Sequence, residues 1–154
     1  MAIAPTLARY LAARKVKYDV LPHVLTGKRT ARARRIPDDR LAKAVLLRDA
    51  TGYVLAVLPA SHHISLAELK RQYGDDVELA KEHEIVELFD DCADGAVPAI
   101  GECYGLDVVV DADISAKPEI YFEAGDHATL VHMSHSEFAI LTRTAQLGRF
   151  SRPH

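Results

Sequence analysis

The residue richest in chemical possibility is Lys43, which stands inside the apolar run Leu41-Ala42-Lys43-Ala44-Val45-Leu46-Leu47. An ammonium is seldom placed there, because taking a charge out of water is costly unless it finds a partner. Two readings are open. The strand has one wet face and the side chain snorkels along it to water, or a cation is held at the floor of a pocket to meet a phosphate or carboxylate. A second candidate is the stretch Gly95-Ala96-Val97-Pro98-Ala99-Ile100-Gly101. Glycines let backbone N–H groups come close to a ligand, and Pro98 fixes one torsion between them. Successive amides could thus be preset for a carbonyl or an oxyanion; a plain helix-to-strand turn is the alternative. Neither GxxxxGK nor GxGxxG occurs, so those phosphate-binding devices have no support.

Eight histidines raise the question of a metal. The nearest approaches to ligand spacing are His132 with His135 and His127 with His132, but HExxH and zinc-type Cys/His quartets are absent, so no metal site is expected. Asp126-His127 after Gly125 reads as an acid/base pair or as a Gly-Asp turn before a strand. His62 and His63 precede a helix and are expected in a surface loop. Cys92 sits beside Asp90, Asp91 and Asp94, where a thiolate is disfavoured, and no GxSxG elbow exists. A nucleophilic mechanism therefore has no good candidate. Cys92 and Cys103 match no CxxC or zinc spacing and are expected to be idle thiols.

Charge is distributed unevenly. Gly27 to Lys43 holds seven bases and two acids, while Asp75 to Asp94 holds nine acids and one base, within a chain of net charge −3. Charge runs are usually solvated faces. The other reading of the basic run is a phosphate-binding edge, in which Arg29, Arg32 and Arg35 fall on roughly one helical side.

These residues need elements to position them. Pro5, with Ile3, Leu7, Tyr10 and Leu11 on one face, predicts an amphipathic helix to about Lys15. Lys17 to His23 predicts a strand broken near Pro22, and Thr30 to Ile36 a short basic helix stopped by Pro37. Leu41 to Arg48 and Tyr53 to Leu58, joined by Asp49-Ala-Thr-Gly52, predict a hairpin. Ser65-Leu-Ala-Glu68 and Ser134-His-Ser-Glu137 have the form of capping boxes, opening helices that end near Gly74 and Thr142. A further helix is expected over Lys81 to Phe89, and strands over Leu106 to Val110, Glu119 to Phe122 and Thr129 to Met133. The last ten residues are expected to fray. Because strands and helices do not alternate strictly, the pattern is α+β with a mixed sheet.

The chain's 154 residues, 49% of them apolar and 27% charged, suit one globular domain over 1–154. The longest apolar stretch, Val54 to Ala60, is far short of the roughly 20 residues that span a bilayer. With no signal-peptide layout at the N-terminus, a soluble cytoplasmic protein is expected.

Taken in order, Lys43 in its strand, the hairpin ending Val57-Leu58-Pro59, the capped helix and the Gly95 to Gly101 loop resemble the YbaK/prolyl-tRNA synthetase-associated family of trans-editing aminoacyl-tRNA deacylases. The resemblance runs from about Tyr18 to Leu141. It implies a single compact α+β domain around a curved mixed sheet flanked by helices. It also implies metal-independent hydrolysis, without a cofactor, of the ester between a wrong amino acid and the 3′ adenosine of a tRNA, most often tRNA for proline. By position, Lys43 corresponds to the family's strand lysine, which holds the phosphate or ribose end of the substrate. Gly95, Ala96, Val97, Pro98 and Gly101 correspond to its glycine/proline loop, which holds the aminoacyl carbonyl. Pro98-Ala99 departs from the residues many relatives carry, so amino-acid choice does not transfer. Asp126 and His127 fall in a pocket-lining segment, and Arg29, Arg32 and Arg35 would meet acceptor-stem phosphates, the acidic stretch facing away. The implied partners are the acceptor end of an aminoacyl-tRNA and, beyond it, an aminoacyl-tRNA synthetase. A module that binds a tRNA end or aminoacyl-nucleotide without hydrolysis is the competing reading, and a histidine-based metal hydrolase the third.

Overall fold

A computed structural model describes residues 3–22 and 36–154. The expected basic helix and Arg29, Arg32 and Arg35 lie outside the described residues. Helix α1 (Pro5–Arg14) begins as the sequence predicts, with proline at its start, and buries Leu7 and Leu11 one turn apart. It is followed by β1 (Asp19–Pro22), then β2 (Leu41–Asp49) and β3 (Gly52–Pro59), which form the expected hairpin with Ala42 opposite Pro59 and Asp49 opposite Gly52. Asp49 closes the turn by accepting the N–H groups of Thr51 at 2.8 Å and Gly52 at 3.1 Å.

The chain continues through β4 (His62–Ile64), α2 (Leu66–Tyr73), β5 (Glu78–Leu79) and α3 (Glu82–Leu88). After the glycine/proline loop come β6 (Asp107–Asp111), α4 (Ala112–Ser115), β7 (Glu119–Glu123), β8 (Thr129–Ser134), α5 (His135–Leu141), β9 (Gln146–Gly148) and β10 (Ser151–Pro153). The main sheet runs β1-β8-β7-β2-β3-β6-β9, with β5 also paired to β2, and β10 pairs with β4 in a separate ribbon. β2–β7, β3–β6 and β6–β9 are parallel and the other pairs antiparallel, so the sheet is mixed and stays open between β1 and β9.

Strand alternation divides the apolar residues between the two faces. Ala42, Leu46, Leu55, Val57, Val108 and Val110 join the core that contains Leu7, Leu11, Phe89, Phe138 and Leu141, beneath α1, α3 and α5. Leu47, Ala56, Leu58 and Val109 join Leu69 and Phe150 on the opposite face, beneath α2. This is the flanked mixed sheet that the sequence predicts.

Three expectations change. The C-terminal residues are ordered rather than frayed: β9 adds to β6, β10 adds to β4, and Phe150 is fully buried between them. The buried carboxylate of Asp111 ties this segment down, accepting from Phe150 N–H at 3.0 Å and Ser151 hydroxyl at 2.8 Å. His62 is buried in β4 and not in a surface loop; its Nδ1 meets Ser151 Oγ at 2.9 Å. Each predicted capping box forms only its serine half. Ser65 and Ser134 accept the N3 amides, while Glu68 engages Arg71 and Gln72, and Glu137 accepts from Lys17 N–H at 2.9 Å.

Candidate functional site: a cleft on the open edge of β2

β2 has three neighbours but does not use its outer edge throughout. β7 pairs only with Leu41 and Ala42, and β5 only with Leu47 and Arg48. Arg40 C=O accepts from Tyr121 and Leu46 C=O from Ala80, so the even-numbered residues direct their main-chain groups outward. Between these two pairings Ala44 points its N–H and C=O away from β3, and no strand covers them among the described residues. A cleft of about 400 Å³ opens beside this gap. Its floor is Leu41 to Ala44; Ile85 and Val86 of α3, with Phe89 just after it, form an apolar wall; Cys92 to Gly95 with Val97 form the other side; Glu82 and Glu123 complete the lining.

Lys43 is therefore part of the cleft, yet its ammonium is already engaged, donating to His62 C=O at 2.5 Å. Burial lowers its pKa. One hydrogen bond leaves an ammonium two further donors, and the stem allows the head to turn towards a bound group.

The glycine/proline loop divides into two parts. Gly95 (φ +80°) and Val97 line the cleft, and their N–H groups have no protein acceptor among the described residues. Ala96 and Pro98 are buried beneath them. Gly101 lies in the core instead: a Cβ there would stand 2.8 Å from Val108 Cγ2 and 3.2 Å from Leu55 Cδ2. Its carbonyl accepts from Tyr104 and Leu106, both at 3.0 Å. The sequence grouped Gly101 with Gly95; the structure gives the first a packing role and the second a place at the cleft.

His127 holds the loop from outside. It adopts a left-handed conformation (φ 64°), rare for a non-glycine residue. Its Nε2 makes a hydrogen bond to the carbonyl of Asp94, and its Cε1 would stand 3.2 Å from a Cβ on Gly95, a tight contact. Asp126 caps its own turn, accepting from Ala128 N–H at 2.9 Å and Thr129 hydroxyl at 3.0 Å. The two residues thus shape the loop. Behind it, Asp91 accepts from Thr6 N–H and Tyr104 hydroxyl, both at 2.8 Å, linking α1 to the cleft wall. Burial works against the charge of Asp91, but these hydrogen bonds outweigh it and hold the carboxyl below its ordinary pKa.

Burial pushes the Cys92 thiol up to about 11 and the Cys103 thiol to about 12, so neither is a ready nucleophile. His127 and His132, adjacent in the sequence argument, are used apart: His132 lies between Asp19 at 3.3 Å and Glu119 at 2.7 Å. The acidic stretch does not face away from the site throughout, because two of its nine acids, Glu82 and Asp94, line the cleft. Sequence reasoning also missed Ala44. An alanine in a strand carries no chemical signal, and its open edge shows only in which neighbours the strand lacks.

A family model for the aminoacyl-tRNA editing domain matches residues 22–140. No curated protein matches. Among solved structures, a candidate trans-editing enzyme for prolyl tRNA synthetase superposes with a TM-score of 0.78 at 21% identity, covering 99% of this chain and 98% of the other. Hypothetical protein APE2540 has a TM-score of 0.78 at 22% identity, covering 96% and 99%. A signal transduction candidate from Marinobacter aquaeolei VT8 has a TM-score of 0.75 at 21% identity; the match covers 95% of this chain but 30% of that protein. At these identities the likeness is one of fold.

Proposed function

The chain belongs to the aminoacyl-tRNA editing domain family, and we propose that it hydrolyses the ester of mischarged aminoacyl-tRNA. One observation carries this reading: Lys43, Gly95 and Val97, distant in sequence, line the same cleft. In the proposed reaction a water adds to the ester carbonyl carbon and the carbonyl oxygen takes up negative charge. The N–H groups of Gly95 and Val97 stabilise that oxyanion. The carbon–oxygen bond to the ribose then breaks, and the leaving ribose oxygen takes the proton that water gives up. Lys43 turns from His62 C=O to the phosphate or ribose end of the substrate and positions it. An activated ester needs little more than placement and charge stabilisation, which fits a site whose thiols have high pKa values.

The same reading extends to a metal- and cofactor-independent enzyme, acting as one domain over 1–154 on tRNA for proline in the cytoplasm. Arg29, Arg32 and Arg35 would lie along the acceptor stem, and a synthetase would be a further partner. Among the described residues no helix is long and apolar enough to cross a membrane.

The test is loss of ester from tRNAs mischarged with Ala, Cys, Ser, Thr and Pro, with Lys43→Ala beside the wild type. Deacylation of one class, abolished in a folded Lys43→Ala protein, is expected. Full activity in the variant would remove Lys43 from the site. Salt-dependent tRNA binding without turnover would make the protein a binding module.

A further inference from the structure

The cleft has a polar inventory that ester hydrolysis alone does not use. Ala44 offers one acceptor and one donor, C=O and N–H, side by side on a strand edge that is unpaired among the described residues. Around it, among the described residues, the lining carries the exposed acids Glu82 and Asp94, with Glu123, and one cation, Lys43, whose ammonium is bonded to His62 C=O. A small cation that brings its own hydrogen-bond donors is what such a lining favours. The only positive charge an aminoacyl ester carries near its scissile bond is its α-ammonium.

We propose that Ala44 and the acids Glu82 and Asp94 read the free α-ammonium group of the substrate. The site then takes aminoacyl esters with an unmodified amine and rejects N-acylated and peptidyl ones. This rests on the editing function proposed above and adds a substrate class to it. Ala44 C=O accepts from the ammonium while Ala44 N–H donates to the aminoacyl carbonyl, so the amino acid lies along β2 like a one-residue strand. Acylation removes the charge, two of the donors and the space beside the strand edge. The acids give the ammonium long-range attraction and the carbonyl gives it direction.

The probes are two non-hydrolysable analogues, 3′-alanylamino-3′-deoxyadenosine and its N-acetyl derivative; alanyl is chosen because its methyl makes little steric demand. Binding to the full chain is measured by calorimetry, and Ala44 is followed by amide hydrogen exchange. The free-amine analogue should bind about 10- to 100-fold more tightly, the range of one charge-assisted hydrogen bond. It should also slow exchange at Ala44, whose amide exchanges fast in the free protein while that of Val45, directed at β3, is protected. In a Glu82→Gln/Asp94→Asn protein the preference should shrink to a few-fold. Equal affinity for the two analogues, binding of neither, or an Ala44 amide already protected without ligand would each overturn the proposal. Deacylation of alanyl-tRNA, measured alongside, keeps the two readings separate: turnover without amine preference sinks this inference alone, and amine preference without turnover sinks the hydrolase alone.

Discussion

Substituting Gly101 by alanine separates packing from chemistry in the glycine/proline loop. Gly101 has φ −104°, which any residue adopts, so alanine brings no backbone penalty. The cost is steric. The new methyl would stand 2.8 Å from Val108 Cγ2, 3.2 Å from Leu55 Cδ2 and 3.3 Å from Leu106 Cβ, and all three neighbours are buried in one core. Forcing a methyl into a packed core costs about 1–3 kcal/mol. For a chain of this size each kcal/mol moves Tm by about 2–4 °C, so Gly101→Ala should melt roughly 2–12 °C lower. Turnover per folded molecule should hold within a few-fold at a temperature well below both transitions, because residue 101 is not in the cleft lining. Thermal unfolding followed by circular dichroism, with deacylation assayed on the same samples, reads both quantities. An unchanged Tm with lost turnover would refute the argument and return the Gly101 backbone to the ligand.

Gly95→Ala should behave in the opposite way. At φ +80° a side chain costs about 1–2 kcal/mol, and its Cβ would stand 3.2 Å from His127 Cε1; kcat should fall by up to about 100-fold with a Tm drop of only a few degrees, and wild-type kcat would remove the Gly95 amide from the mechanism. His127→Gly relieves the left-handed backbone but releases the Asp94 carbonyl, so kcat should drop while Tm stays near wild type; unchanged kinetics would show that the ring is not needed to hold the loop. The Tyr53 hydroxyl, at 2.5 Å, is the first cause of the low pKa of Glu84, about 2 against an ordinary 4.5, followed by the Lys81 N–H and Arg48. A carboxyl depressed in the folded state stabilises it above about pH 4.5 and loses that contribution as pH falls towards 2. Tyr53→Phe should therefore flatten the fall in urea midpoint between pH 5 and pH 3, and an identical fall in both proteins would contradict the assignment.

What the sequence disclosed follows from the range of the interactions involved. The β2–β3 hairpin and the capped starts of α2 and α5 are set by residues within a few positions of one another, such as Asp49 with Thr51 and Ser65 with Glu68, and all were legible. β9 and β10 were not. They are three residues each, and their partners are β6 and β4, far back in the chain. Phe150 and Asp111 are the residues that fix them, and neither signals its partner locally. In the site, Lys43 and Gly95 stood out because a charge in an apolar strand and a glycine before a proline each break a local pattern. Gly101 broke the pattern too, but for packing. Ala44 broke none, and it became visible only when the pairing of β2 was known.

The placement of opposite charges bears on how one cleft could handle an aminoacyl-tRNA end, which carries a cation on the amino acid and anions along the nucleic acid. The basic stretch runs into β2 from its N-terminal side, ending in Arg40, paired with Glu119 at 2.6 Å, and in Lys43. Of the acids that line the cleft, Glu82 comes from α3, Asp94 from the loop after it and Glu123 from β7. Lys43 is the cation of this lining among the described residues. A substrate with its ammonium at Ala44 and its phosphates at Lys43 would satisfy both signs, whereas the reversed orientation would set phosphate against Glu82 and Asp94. Like-charge repulsion at such short range suppresses wrong orientations more effectively than attraction selects right ones. Glu82 and Asp94 would then take part in recognition, while the rest of the acidic run stays a largely solvated face.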